Sequence, residues 1–371
     1  MKKEHERQQR WSATIPNLTM GIDLGDRWSV ICGVDREGGV TLQRTVATTP
    51  QALKQLLSEV GPARVVFEAG SHSPWLSRLA KQLGHEVIVA NPTELYGKKR
   101  RRRKNDRIDA EELARRGRAD PTLLFPIEHR SEQVQAHLAV LQARDAAVQV
   151  RSKLISHVRG SVKPFGVRLP KCSAESFARK AAEWIPEAVG PALRPLLDQI
   201  AALTGTIRDY DEQVETLATQ KYPHTALLRQ VVGVGALSAL AYVLVIENPA
   251  RFPRSRSVGN YLGLCPRLND SGDSQPQLPI SKAGDEFMRR LLVGCAHYIL
   301  GPFGPDTDLR RWGLTLAARG GKNAKKRAVV AVARKLSVLL LRLWVTGEVY
   351  EPLRQARLAE QQANRNAQLV A

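Results

Sequence analysis

Four carboxylates and one serine are the residues of this 371-residue chain whose surroundings suit chemistry. Asp23 closes an apolar run within GIDLGD, and Glu68 closes VVF in the same way. Strands disfavour a carboxylate at such a place and burying it alone is costly, so each asks for a partner. Asp106 and Asp109 stand three residues apart in KNDRIDA, which puts both on one face of the helix they open. Four acids drawn to one point repel one another unless divalent cations neutralise them. Two hard cations about 3.5–4 Å apart would hold both the attacking and the leaving oxygen of a phosphoryl transfer. A quieter reading stays open for each acid. Asp106 and Asp109 also complement a helix dipole, and Asp23 also suits a turn before Gly25. Glu111 and Glu112 fall on other faces of the same helix and rank lower.

Ser271 lies between Asp270 and Gly272 in a segment free of apolar residues, which predicts an exposed, mobile loop. By its residue chemistry alone such a serine is a turn residue first and a nucleophile second. Lys282, Arg289 and Arg290 follow on what reads as a helix, with charge suited to a phosphate.

The elements that would position the acids are legible from period and punctuation. Leu18–Asp23 and Trp28–Val34 read as strands, and Gly38-Gly39 turns the chain into a third, Val40–Val46. Thr48-Thr49-Pro50 opens a helix with Leu53, Leu56, Leu57 and Val60 as its apolar stripe. Arg64–Phe67 is a short strand, Trp75–Leu83 a helix and Glu86–Ala90 another strand. The order β-β-β-α-β-α-β is that of an α/β domain of the ribonuclease-H-like class, a three-stranded meander continued by parallel strands, in which the strands of Asp23 and Glu68 are neighbours. The helix from about Asp106 to Arg116 is expected to end at Gly117.

Beyond it the chain is mainly α. From Ser131 to about Val158, Val134, Leu141, Val148 and Ile155 recur every seven residues. Leu193, Leu196, Ile200, Leu203, Ile207, Tyr210, Val214 and Leu217 then alternate by threes and fours. The pair predicts an antiparallel helical hairpin or a dimerising coiled coil; two helices of an ordinary bundle would show the same pattern. From about Leu227 the chain is mainly helical, and Ala359–Ala371 is Gln/Asn-rich and expected to fray. The domains expected are an extension over 1–17, an α/β domain over 18–128, a coiled-coil hairpin over 129–222, a helical C-terminal domain over 223–345 and a tail over 346–371.

Composition narrows the partners. With 56 Lys and Arg against 36 Asp and Glu, the net charge of +20 favours a polyanion, by default nucleic acid. The run Lys98-Lys99-Arg100-Arg101-Arg102-Arg103-Lys104, with Arg107 beyond it, could track a nucleic-acid backbone beside the acids; a solvated charge run is the alternative. Lys322, Lys325, Lys326 and Arg327 form a second basic patch at the head of an apolar helix. Gly233-Val234-Gly235 before a helix resembles the turn of helix-hairpin-helix DNA binders, and a plain helix entry fits equally. Four scattered cysteines without a C-x-x-C pair argue against a zinc ribbon and a disulfide framework. Neither a signal peptide nor a membrane span is expected, and the predicted location is the cytoplasm, beside the nucleoid if the host is bacterial.

The order GIDLGD, FEAG, Asn91-Pro92, KNDRIDAEELA, YLGLCPR, SG and ISKAG resembles the Asp-Glu-Asp-Asp family of insertion-sequence transposases, recombinases guided by a bridge RNA, over roughly residues 18–345. The resemblance implies a Holliday-junction-resolvase-like N-terminal domain, a coiled-coil insert and a C-terminal transposase domain. It also implies metal ligation of Mg²⁺ (or Mn²⁺) by Asp23, Glu68, Asp106 and Asp109, and Ser271 as nucleophile, with Ser274 and Ser281 as neighbouring choices. Donor and target DNA, a structured noncoding guide RNA and a homodimer or homotetramer are the implied partners. A resolvase-type nuclease using activated water, with Ser271 only structural, is the competing enzyme reading. A non-catalytic RNA- or DNA-binding derivative is the third.

Overall fold

The computed structural model describes residues 16–92, 94, 105–269, 271, 274, 276 and 278–370. The basic run Lys98–Lys104 lies outside these residues, as do Asp270 and most of the N-terminal extension. The chain divides into two compact units, Met1–Ser131 and Glu132–Ala371.

In the first unit, β1 (Leu18–Leu24), β2 (Trp28–Asp35) and β3 (Val40–Ala47) form the antiparallel meander. β4 (Arg64–Glu68) and β5 (Glu86–Ala90) extend it in parallel, giving the order β3-β2-β1-β4-β5. Strand alternation sorts the side chains between two faces. Met20, Ile22, Val65 and Phe67 pack with Leu53 and Leu57 of α1 (Pro50–Glu59) and Leu76 of α2 (Ser73–Gln82). On the other face, Cys32, Val34 and Val66 meet α3 (Asp106–Ala119) through Ala110, Leu113 and Ala114. With both faces covered, β1 and β4 must be apolar almost throughout, which is why their closing acids stand out.

Gly117 does not end α3, which runs on to Ala119 with Asp120 as its C-cap. The glycine serves close packing instead. A Cβ there would stand 2.4 Å from Val66 Cγ2, and one on Gly21 would stand 2.0 Å from the Ala110 carbonyl oxygen. The buried Arg64 ties the same end down, donating from Nη1 to the Gly117 carbonyl at 2.8 Å and pairing through Nε with Glu86 at 2.8 Å.

In the second unit, α4 (Glu132–Ser161) and α6 (Gly190–Thr216) form an antiparallel hairpin within one chain, with the short α5 (Phe177–Ala182) in the link. Arg144 pairs with Asp211 and Arg151 donates to Thr204 at 3.2 Å, which sets the opposed directions. The buried stripe of α6 differs from the expected one. Leu197 and Thr204 are buried, while Leu196, Leu203 and Tyr210 sit at the margin. The small Thr204 lets the buried Arg151 lie across the seam, which turns the helix toward it.

The remaining helices are α7 (Thr225–Arg229), α8 (Ala236–Ile246), α9 (Ser257–Tyr261), α10 (Glu286–Leu300), α11 (Asp308–Ala317), α12 (Ala324–Thr346) and α13 (Arg354–Val370). Helix α8 is buried on every side from Ala239 to Ile246, and the buried Tyr242 hydroxyl donates to the Ser337 carbonyl of α12 at 2.6 Å. Its apolar run is therefore a core helix, and no helix among the described residues is long and apolar enough to cross a membrane. Helix α13 covers the Gln/Asn-rich end as far as Val370. Its Gln, Ala, Arg and Leu residues favour helix, and the Asp308 carboxylate accepts from Gln355 N at 2.6 Å at the α13 start.

Candidate active site

Three of the four acids converge. Carboxylate oxygens of Asp23, Asp106 and Asp109 lie within 4.8 Å of one another, with Asp23 and Asp109 half-buried and Asp106 exposed. The close approach of α3 to β1 at Gly21 produces this, because Gly21 and Asp23 share the α3 face of the sheet. Asn105 caps α3, its side chain accepting from Arg107 N at 3.1 Å, so the first turn is held with both aspartates on it. Three hard oxygen donors with an open side fit a divalent cation that keeps some of its water.

Glu68 stands one residue beyond the Ile22–Phe67 pair, on the strand beside Asp23 and on the same face. Its carboxylate falls outside the 4.8 Å group, so the expected convergence of four acids is in this structure one of three. One strand spacing, about 4.8 Å, separates the two backbones, whereas the aspartates of α3 descend on β1 itself. Glu111 and Glu112 are engaged along their own helix, by Arg115 at 2.8 Å and by Arg116 respectively.

In the second unit, Ser271 is exposed, as expected, and bridges Ser274 beyond the Pro266–Ile280 bridge, toward the tip of a hairpin. Ser271 and Ser274 exchange backbone hydrogen bonds at 3.1 and 3.0 Å, Arg267 N donates to Pro279 O at 3.0 Å, and Ser281 N donates to Cys265 O at 2.8 Å. Ser281 is thus in the arm, whereas Ser274 faces Ser271 at the tip. The YLGLCPR and ISKAG segments pair at the foot because both glycines there have positive φ and allow backbone contact. A Cβ on Gly263 would meet Ala283 O at 2.1 Å, and one on Gly284 would meet Tyr261 O at 2.0 Å.

The three cations expected together on one helix separate. Lys282 precedes α10, in the left-handed region at φ 56°, and is exposed. Arg289 is buried and its Nη1 is directed at the carbonyls of Leu262 (3.2 Å), Ala283 (2.5 Å) and Gly284 (3.2 Å), so it locks the hairpin foot. Arg290 pairs with Asp145 of α4 at 2.6 Å and holds that carboxyl below the usual aspartate range. Lys322 precedes α12, while Lys325, Lys326 and Arg327 are exposed in its first turn, as expected. Gly233, at φ 93°, and Gly235 form the turn between α7 and α8, where Arg229 is paired with Glu215 at 2.6 Å.

Sequence reasoning missed two features. One is the Arg64 clamp, signalled by an arginine at the head of an otherwise apolar strand. The other is a cleft of about 1190 Å³ between the hairpin arms and helices α11 and α12, for which no local signal exists.

An acid cluster on an α/β sheet, in a strongly basic chain, is an arrangement compatible with a metal-dependent enzyme acting on nucleic acid. The comparisons with known proteins agree. A transposase family model of the DEDD type, IS110 group, matches residues 20–165, and the model described as the transposase IS116/IS110/IS902 family matches 225–306. The transposase for insertion sequence element IS1111A of Coxiella burnetii is 27% identical over 340 residues, 89% of this chain and 90% of that one. The transposase for element IS1328 of Yersinia enterocolitica is 29% identical over 76% of this chain and 84% of its own. A Sinorhizobium fredii relative, y4qE, also described as a transposase, is 30% identical over 75% of this chain and 70% of its own. The chain belongs to the IS110/IS116 family of insertion-sequence transposases, enzymes that cleave and rejoin DNA.

Proposed function

We propose that this transposase is an RNA-guided recombinase that exchanges DNA strands through a covalent serine–DNA link. The observation that carries the metal half of the reading is the convergence of Asp23, Asp106 and Asp109, with Glu68 beside them on β4. The α/β unit with its meander and parallel strands supports a ribonuclease-H-like, resolvase-like domain for residues 18–128. Residues 129–222 are its helical hairpin and 223–345 the serine-bearing domain.

Mg²⁺ or Mn²⁺ held by Asp23, Asp106 and Asp109, with Glu68 completing the set, would neutralise charge on the reacting phosphate. The chain's own part is nucleophilic. The Ser271 oxygen attacks phosphorus and gives its proton to a base, while the bond to the leaving DNA oxygen breaks and that oxygen takes up a proton. The phosphoserine diester conserves the bond energy, so a second strand's hydroxyl can reverse the step without a high-energy cofactor. A hydroxyl is a weak nucleophile at neutral pH and needs such assistance. Exposure at a hairpin tip suits Ser271 to reaching a phosphate. Lys322, Lys325, Lys326 and Arg327, with the Lys98–Lys104 run, are the proposed backbone contacts. The partners are donor and target DNA, a structured guide RNA and a second copy of the chain, as dimer or tetramer, in the cytoplasm.

The test is trapping of a covalent adduct with the co-purifying RNA, matched DNA and Mg²⁺. Wild type is expected to form the adduct and Ser271→Ala to lose it. Cleavage without an adduct, unchanged by the substitution, would replace this reading with a resolvase-type nuclease.

A further inference from the structure

The cleft at the foot of the serine hairpin belongs neither to the acid cluster nor to the hairpin tip. One wall is made by the hairpin's own arms, through Leu264 and Pro266 on one and Leu278 and Ile280 on the other. The facing wall is Trp312 and Leu316 of α11 with Ala331 and Val338 of α12. Around this apolar floor stand Arg256, Arg319, Lys326, Arg334 and Lys335, all exposed. No aspartate or glutamate is among the described residues that line it. Lys335 Nζ lies 4.4 Å from the Trp312 ring centroid, so a cation and an aromatic ring are presented at the same spot.

This combination discriminates between polyanions. Unstacked bases need apolar or aromatic faces to lie on, while their phosphates need cations at the rim. A duplex keeps its bases stacked and would meet the rim alone, leaving the floor unused. The volume of about 1190 Å³ also exceeds the roughly 300–1,000 Å³ of small-molecule sites, as a polymer segment requires.

We propose that this cleft binds a single-stranded segment of nucleic acid, with bases against Trp312 and the hairpin arms and phosphates on Arg319, Lys326 and Arg334. Because the hairpin arms form a wall, the bound strand holds the tip that carries Ser271. Only that last consequence rests on the proposed role of Ser271; the binding site does not.

The test uses the full chain carrying Ser271→Ala, so that no covalent adduct interferes. The probe is an oligonucleotide of about 12 residues bearing 5-iododeoxyuridine, as a single strand and as a duplex. Photocrosslinking of the single strand is expected to map to the α11 segment around Trp312. Trp312→Leu should abolish that crosslink and weaken single-strand binding roughly tenfold, with duplex binding unchanged. Arg319→Gln with Arg334→Gln should flatten the log–log salt dependence of single-strand binding by about 0.7 per cation removed. Both positions are exposed, so this second variant carries the test if Trp312→Leu fails to fold.

Crosslinks mapping elsewhere, or equal loss of single-strand and duplex binding in the charge variant, would overturn the proposal. So would retention by Arg319→Gln/Arg334→Gln of wild-type affinity and salt dependence. A crosslink at Trp312 in a protein whose wild-type form yields no serine adduct would leave the cleft standing and remove the Ser271 reading.

Discussion

Asp106 and Asp109 illustrate how one residue can serve two physical purposes. In the first turn of α3 each complements the helix dipole, worth about 0.3–1 kcal/mol apiece at the surface. Their approach to Asp23 within 4.8 Å is repulsive, and a bound divalent cation would relieve that repulsion. The two uses predict different losses. Asp109→Asn is expected to lower divalent-cation-dependent cleavage by on the order of 10²-fold or more, and to abolish the rise in melting temperature on adding Mn²⁺. A variant that keeps both the cleavage and the cation-dependent rise would reduce Asp109 to a dipole partner. Arg289 and Arg290 make the converse point. Read by charge alone both suit a phosphate, yet one is directed at three backbone carbonyls and the other is paired with Asp145.

At the scale of elements, the acid cluster depends on how closely one helix lies on a sheet. Gly21 and Gly117 remove the two side chains that would hold α3 away from β1 and β4, and Arg64 fastens the far end of the helix. Substituting Gly117→Val drives new methyl groups into Val66. It is expected to destabilise the first unit by about 1–3 kcal/mol, read as a lower denaturant midpoint. Because Gly117 is eight residues from Asp109, the same substitution should weaken Mn²⁺ binding by tilting α3, without touching an acid. Unaltered Mn²⁺ affinity in a measurably destabilised protein would show that the helix start is set independently of its end. The serine hairpin follows similar logic, since Gly263 and Gly284 let two backbones touch and Arg289 closes the junction.

For the whole molecule, the relevant fact is that the two compact units have separate cores. The sheet core of Met20, Phe67 and Leu76 shares no residue with the helical core of Tyr242, Met288 and Leu336. Each can therefore melt as its own cooperative unit. Calorimetry of the full chain is expected to show two transitions, with added Mn²⁺ raising only one. Gly117→Val should lower that same transition. A single transition that moves as a whole with Mn²⁺ would mean that the units unfold together.

Strand and helix periods in the first unit were readable because the sheet is covered on both faces and its connections are short. Alternation and turn residues therefore state each element locally, and the acids stand out as the polar ends of apolar runs. Asp106 and Asp109 were likewise placed on one helical face by spacing alone. Local pattern could not reveal which groups meet across elements. That Asp23 joins those aspartates while Glu68 lies outside the group depends on where α3 crosses the sheet. That Gly117 packs rather than caps depends on Val66, fifty-one positions earlier in the chain. The cleft exists only because the arms of a hairpin stand against two helices that begin more than twenty-five residues later. Sequence by itself determined the periodic elements and the types of group available for chemistry. Tertiary structure decided their distances, because contacts between distant segments are set by packing and leave no periodic trace along the chain.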